Sequence, residues 1–180
     1  MRVIAGRLGG RPLRAPAGAG TRPTASRVRE ALFSILGDVE DVRALDLFAG
    51  SGALGIEALS RGAASVVFVE RAPRALAALR ANLEALGLPD AQAEVRPVDV
   101  LAALRSARGA RETYDLVFID PPYREAAGRA SELGRAVAPV LAPAARVITE
   151  SDRRSPLRLE LGDGDERRYG DTLITIHHLP

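Results

Sequence analysis

Five short apolar runs in this chain end on a carboxylate or carry one near their carboxyl end. These are Asp46 in Ala44 to Phe48, Glu70 after Val66 to Val69, Asp99 after Val98, Asp120 after Leu116 to Ile119, and Glu150 after Val147-Ile148-Thr149. Apolar runs bounded by turn residues read as buried strands. Between them lie helical patterns, the clearest placing Leu76, Leu79, Leu83 and Leu86 on one face and stopping at Gly87. Strand and helix alternate, which restricts the chain to an α/β fold: a Rossmann-like, doubly wound, mostly parallel sheet. In such a sheet the carboxyl ends of the strands line one edge, and ligands bind beside it. An edge lined with acids favours a cationic ligand. Near the end of the chain, Leu157 to Leu161 and Leu173 to His178, joined by Gly162-Asp163-Gly164-Asp165, read as a closing hairpin that makes the sheet mixed.

Asp120-Pro121-Pro122-Tyr123 follows the fourth of these runs. Neither proline can donate an N–H, and the residue before a proline is pushed out of helical geometry, so the turn is stiff and offers only acceptors. Acceptors converging beside an aromatic ring suit a flat group with two protons to give, such as the exocyclic amine of a nucleobase or a carboxamide. The plainer reading is a strand followed by a turn, since Asp-Pro commonly opens one.

Gly50-Ser51-Gly52-Ala53-Leu54-Gly55 is a literal G-x-G-x-x-G after a strand, and Glu70 lies about 20 residues downstream, the spacing of the dinucleotide fingerprint. Taken alone it points to NAD. Asp46 argues against that, because its carboxylate stands close to where a doubly charged pyrophosphate would sit. S-adenosylmethionine carries a sulfonium and an ammonium and no phosphate, so acids beside the glycine turn become favourable. Glu70 can accept from both ribose hydroxyls. Asp99 can accept from the adenine amino group while the Val100 amide donates to the ring. A tight turn with no ligand is the remaining reading of the glycines.

The chain has 180 residues and 47% hydrophobic content, enough for one well-packed domain and too little for a second catalytic one. It has no cysteine, so neither a disulfide framework nor a thiolate metal site is available. His177 and His178 are neighbours on an expected strand, face opposite ways and cannot chelate one ion together. No metal is expected. No apolar run is long enough to span a bilayer and no signal peptide is visible, so the cytoplasm is the expected location. Net charge is +2, but the first 29 residues hold seven arginines and no acid, leaving the remainder at −5. Such a segment reads as a detached basic arm for a polyanion backbone. Within it Val3-Ile4-Ala5 and Pro12-Leu13 flank a Gly6 to Gly10 turn, which suggests a small hairpin, with Pro16 to Gly20 as a link. The arm and link occupy residues 1–20 and a single domain occupies 21–180. The helix that follows the link places Val28, Ala31, Leu32, Ile35 and Leu36 on one face, with Arg27 and Glu30 off it. Arg105, Arg108 and Arg111 read as a solvated polar loop.

These motifs resemble the bacterial methyltransferases that modify the N2 amine of a guanine in small-subunit (16S) ribosomal RNA. The resemblance runs from Met1-Arg2-Val3-Ile4-Ala5-Gly6 and Arg22-Pro23-Thr24, through Arg27-Val28-Arg29-Glu30-Ala31-Leu32-Phe33 and Asp46-Leu47-Phe48-Ala49-Gly50-Ser51-Gly52-Ala53-Leu54-Gly55, to Asp120-Pro121-Pro122-Tyr123. It departs from the family pattern at Ser26 and at Ala72, a poor N-cap before Pro73. The resemblance implies a seven-stranded class I methyltransferase sheet with an N-terminal β-hairpin, S-adenosylmethionine as cofactor, and a monomer acting on 16S RNA within an assembling subunit. It implies a cofactor set of Asp46, Phe48, Gly50, Ser51, Gly52, Glu70, Arg71, Asp99 and Val100, and a catalytic set of Asp120, Pro121, Pro122 and Tyr123. RNA contacts would come from Arg2, Arg7, Arg11, Arg14, Arg22, Thr24 and Arg27. Adenine-N6 methylation of nucleic acid and glutamine methylation of a protein present the same flat donor, and a non-catalytic RNA-binding module is a further alternative.

Overall fold

Runs rich in Val, Ile and Phe form the parallel strands, because branched and aromatic side chains pack well on a pleated surface buried on both sides. The computed structural model describes residues 1–16, 26–122 and 128–180. After an opening helix α1 (Ser26–Leu36), the strands β1 (Arg43–Leu47), β2 (Ser65–Val69), β3 (Ala93–Arg96), β4 (Tyr114–Ile119) and β5 (Leu141–Asp152) alternate with α2 (Ala53–Ser60), α3 (Pro73–Leu86), α4 (Val100–Gly109) and α5 (Ala130–Val137). The antiparallel strands β6 (Gly164–Tyr169) and β7 (Thr172–His178) close the chain. The sheet order is β3-β2-β1-β4-β5-β7-β6. β1 to β5 are parallel, β7 is antiparallel to both β5 and β6, and the order reverses between β1 and β4. No described helix is long and apolar enough to cross a membrane.

Side-chain alternation splits the core in two. Val66, Phe68, Leu116, Phe118 and Ile148 face the layer built from α1, α2 and α3, with Leu32, Ile56, Leu59 and Leu79 buried among them. Leu45, Leu47, Val67, Val69, Val117, Ile119 and Val147 face α4 and α5, against Leu104 and Val137. Gly87, with φ of 67°, ends α3 as its position in the sequence predicts.

Three local expectations are corrected. The buried face of α1 is Val28, Arg29, Leu32, Phe33 and Leu36, whereas Ile35 is exposed, because the helix is rotated to bring Arg29 inward. Arg105 and Arg108 belong to α4, whose buried stripe of Val100, Leu101, Ala103, Leu104 and Ala107 makes a helix of what read as a loop. Leu157 to Leu161 is not a strand: Leu157 and Leu159 are buried in irregular chain on the α4/α5 side, and the hairpin is β6 with β7, turning at Gly170-Asp171. β6 carries Asp165, Glu166, Arg167 and Arg168 on an exposed edge, so no apolar run announces it.

The basic N-terminal segment does form a hairpin-like turn, with a bridge between Arg2 and Pro12 and with Val3 N donating to Arg11 O at 3.0 Å, but it is docked rather than detached. Val3 and Leu13 are buried in the core. Glu57, fully buried in α2, accepts from Ile4 N at 2.7 Å and Ala5 N at 3.0 Å, and pairs with Arg61 at 2.8 Å and with the fully buried Arg29 at 3.7 Å. Arg29 Nη2 donates to the Arg2 carbonyl.

Glu57→Leu removes the counter-charge of a buried arginine and frees two amides, and breaking such a pair from one side costs ~3–5 kcal/mol. Urea denaturation of the variant is expected to show a loss of this size. Amide exchange over residues 3–13 is expected to accelerate; undiminished protection would assign the docking to Val3 and Leu13 alone.

Candidate active site

The register of the parallel strands aligns their carboxyl ends. Leu47 pairs with both Val69 and Ile119, and Ile119 pairs with Thr149, so Phe48, Glu70, Asp120 and Glu150 occupy the next row across the edge. Asp46 lies two positions before Phe48 and is level with Phe118. By the two-residue period of a strand, Asp46, Glu70, Asp120 and Glu150 share the parity of Ala44, Phe68, Phe118 and Ile148, which face the α1–α3 layer. Four carboxylates are therefore brought to one side of one edge, astride the point where strand order reverses.

Two of them hold the glycine turn. Asp46 is buried, and its Oδ2 accepts from the Gly55 amide at 2.9 Å. Burial pushes its carboxyl up to about 7, against the Gly55 hydrogen bond and with the help of Glu70. Glu70 accepts from Gly50 N at 2.9 Å with one oxygen and from Arg71 N and Ala72 N at 2.8 Å with the other. Two amides fill the lone pairs of one oxygen, so the oxygen that accepts from Gly50 N is the one that retains room for a hydroxyl donor. Ala72 offers no side-chain cap, and α3 starts at Pro73.

Gly52 sits at φ 79°, and a Cβ there would stand 2.4 Å from Leu79 Cδ1. At Gly55 the Cβ would stand 2.4 Å from Phe68 Cε1, so only glycine lets α2 lie this close to the sheet. Gly50 differs: beyond its φ of 59°, a Cβ there would meet, among the described residues, only Phe48 O at 3.9 Å, so these residues leave open space beside the turn. Phe48 itself takes a left-handed φ of 59°, strain of order 1–3 kcal/mol concentrated where strand becomes turn. Ser51 is buried under Asn82, whose Nδ2 donates to Ser51 O at 2.9 Å.

Asp120 is half-buried after β4, followed by a buried Pro121 and an exposed Pro122. Burial and then the neighbouring Glu150 and Asp46 carboxylates hold its carboxyl well above the usual range. Glu150, buried in β5, was absent from the sequence-derived site; its only signal was its place at the end of an apolar run. Asp99 caps α4 by accepting from Leu101 N at 2.9 Å and pairs with Arg71 at 3.3 Å, so it sits at the same edge but already engaged. Val100 is buried at the first position of α4, where an amide has no partner within its helix.

Of the residues expected to contact RNA, Arg2, Arg7, Arg11, Arg14 and Arg27 are exposed; Arg7 reaches Gln92 Oε1 at 3.1 Å and Arg11 reaches Ala85 O at 2.8 Å. Arg22, Thr24 and Tyr123 lie outside the described residues. His177 is buried and His178 exposed on opposite faces of β7, and among the described residues no cluster suited to a metal ion is found.

Residues 1–178 match the family model described as conserved hypothetical protein 95. The chain belongs to this family. A Bacillus subtilis (strain 168) protein named, provisionally, as the rRNA methyltransferase YlbH is 39% identical over 181 residues, covering 98% of each chain. Ribosomal RNA small subunit methyltransferase D of Haemophilus influenzae is 40% identical over 124 residues, which span 68% of this chain and 64% of that protein. Among solved structures, yhhF of Escherichia coli, also provisionally named a methyltransferase, superposes with a TM-score of 0.81 at 32% identity, over 99% of this chain and 97% of that one. The seven-stranded, mixed sheet is thus the class I methyltransferase fold within the conserved hypothetical protein 95 family.

Asp46→Asn keeps an oxygen for the Gly55 amide and deletes the buried charge. The folded chain binds the Asp46 proton more tightly than the unfolded chain, so the wild type loses stability as pH rises from the ordinary carboxylate value of 3.8 through about 7. The variant does not carry this loss. At pH 8 it is expected to be the more stable by ~4 kcal/mol in chemical denaturation, with the gap closing near pH 4; a gap independent of pH would show that Asp46 binds its proton equally in the folded and unfolded chains.

Proposed function

We propose that this chain methylates ribosomal RNA with S-adenosylmethionine as donor, and that the acceptor is the exocyclic N2 amine of a guanine in small-subunit (16S) RNA, presented within an assembling subunit. The observation that carries the reading is the set of four carboxylates on one side of the carboxyl edge, ending in the stiff Asp120-Pro121-Pro122 turn. The names of the relatives support rRNA as the acceptor, and the small-subunit methyltransferase among them supports 16S RNA.

The residues fit the donor. Open space beside Gly50, acids on the same side and the absence of a phosphate in the ligand agree with one another, whereas a pyrophosphate would meet Asp46 and Glu70. Glu70 would take the ribose hydroxyls, with Asp99 and the Val100 amide at the adenine and Asp46, Phe48, Gly50, Ser51, Gly52 and Arg71 shaping the pocket. Bound S-adenosylmethionine supplies an electrophilic methyl group on a sulfonium.

A guanine amine is a weak nucleophile because its lone pair is delocalised into the ring. Asp120 and the Pro121 carbonyl, by accepting its two N–H bonds, favour the geometry in which that pair localises on nitrogen. Asp120 then takes the proton, which becomes acidic as the new bond forms, so a strong base is unnecessary. Holding the amine in one orientation supplies much of the rate. The base has to leave its stack to reach a recessed edge, and Tyr123 is assigned as the ring that replaces the lost stacking.

Asp120→Ala is expected to lower methyl transfer to 16S RNA by at least about 100-fold while calorimetric binding of the donor persists. Undiminished turnover would remove Asp120 from the mechanism, and label arriving in protein instead of RNA would favour glutamine as acceptor. Because burial and like charges raise the carboxyls of Asp46 and Asp120, binding of a cation should expel protons. Donor affinity is therefore expected to rise as pH increases through about 7, with proton release seen by calorimetry in buffers of different ionisation enthalpy; affinity that falls over this range would contradict the acid rim.

A further inference from the structure

β5 runs on past the end of β4. Ile119 pairs with Thr149, and β5 continues to Asp152, a further ~10 Å at ~3.3 Å per residue. β7 begins and β6 ends at this same level, since Asp152 pairs with Thr172 and Tyr169 with Thr172. A groove of about 300 Å³ opens there, lined by Arg153, Arg154, Arg158 and Arg168, with Glu166 as the acid among the described lining residues. From β4 it is displaced by up to three strand spacings, ~14 Å in all.

The acids within reach leave the groove cationic. Arg153 and Arg154 share Asp171 at 3.6 Å and 3.7 Å, and Arg158 meets Glu166 at 3.5 Å, with Arg154 and Arg158 each about three-quarters exposed. Long, exposed pairs of this kind contribute little and exchange readily for another anion. Guanidinium groups bind phosphate oxygens in a two-pronged fork. The groove's one large apolar side chain, Leu173, is buried, so its open surface suits a charged backbone better than a base or an apolar protein face.

Resting on the methyltransferase reading above, we propose that Arg153, Arg154, Arg158 and Arg168 form a phosphate-contact surface for the RNA that flanks the modified base. It lies on the β6 side of Asp120. The docked N-terminal segment lies on the other side, where Asn82 binds the backbone of the exposed Arg14 and the Ser51 carbonyl together, whereas Arg7 and Arg11 reach Gln92 and Ala85 toward the amino ends of the strands. RNA held at both flanks passes over the acid rim between them. At ~3.4 Å of axis per phosphate, ~14 Å corresponds to about four phosphates on one strand.

The test compares the wild type, an R154A/R158A/R168A variant and an R105A/R108A/R111A control, each binding a full-length 16S RNA transcript across a salt series. Each lost phosphate contact reduces the slope of log affinity against log salt by ~0.7–0.9. The groove variant is expected to be shallower by about two to three and roughly tenfold or more weaker near physiological salt, with unchanged thermal unfolding and unchanged heat of S-adenosylmethionine binding. The control is expected to keep the wild-type slope. A groove variant with the wild-type slope, or a control that loses as much, overturns the proposal. Methyl transfer by the wild type to the same transcript is scored in parallel. Its failure, with the slope difference intact, would sink the methyltransferase reading and leave the surface standing.

Discussion

The turn between β1 and α2 is fixed by three side chains from three different elements, and the rest of the site takes its positions from it. Asp46 of β1 holds the Gly55 amide, Glu70 after β2 holds the Gly50 amide, and Asn82 of α3 holds the Ser51 carbonyl. A hydrogen bond to a charged group contributes ~1.5–3 kcal/mol, and leaving a buried partner unmatched costs about as much. Such restraint is needed because Phe48 and the glycines occupy left-handed backbone that the chain would otherwise relax. The same arrangement commits both acids to the protein while leaving each at least one lone pair unused, so they can support the turn and still meet a ligand.

The N-terminal segment is joined to this turn through buried polar groups. Asn82 Oδ1 accepts from Arg14 N at 2.8 Å and its Nδ2 donates to Arg14 O at 3.0 Å, so one amide side chain binds the end of the basic segment and the glycine turn together. Glu57 does the same for Ile4 and Ala5 from the middle of α2, the helix that the turn begets. Basic residues that the charge count alone would put on a loose tail are thereby registered against the pocket. A polyanion contact at Arg2 or Arg14, if made, would stand at a fixed distance from the Gly50 to Gly55 turn.

Much of the framework was legible because burial on both faces of a parallel strand leaves a continuous apolar run, and such runs are visible without any partner. Asp46, Glu70, Asp120 and Glu150 could be placed at one edge for that reason, since they terminate the runs. What escaped were residues whose burial depends on tertiary context. Glu57 and Asn82 look like solvated helix residues until the hairpin lands on them, and Arg29 was counted with the basic arm although it shares a helical face with Leu32 and Phe33. β6 escaped for the opposite reason: an edge strand exposed along most of its length needs no apolar residues and shows none. That Asp99 both caps α4 and pairs with Arg71 was equally hidden, because a cap and a ligand contact call for the same side chain.

Charge of opposite sign is separated around the site. Carboxylates stand on the rim, where burial and mutual repulsion raise the carboxyls of Asp46 and Asp120, and arginines stand outside it at the N-terminal segment and at the groove between β6 and the end of β5. A phosphate chain approaching such a surface is attracted at the flanks and repelled at the centre. The lowest-energy path therefore carries the backbone along the outer arginines and past the rim, leaving a neutral, hydrogen-donating base as the part of a nucleic acid that can enter. A cationic ligand already on the rim lowers the central repulsion, so binding of the donor and admission of the acceptor become favourable together. Sorting of this kind separates holding the polymer, which falls to the outer arginines, from choosing the group that reacts, which falls to the rim.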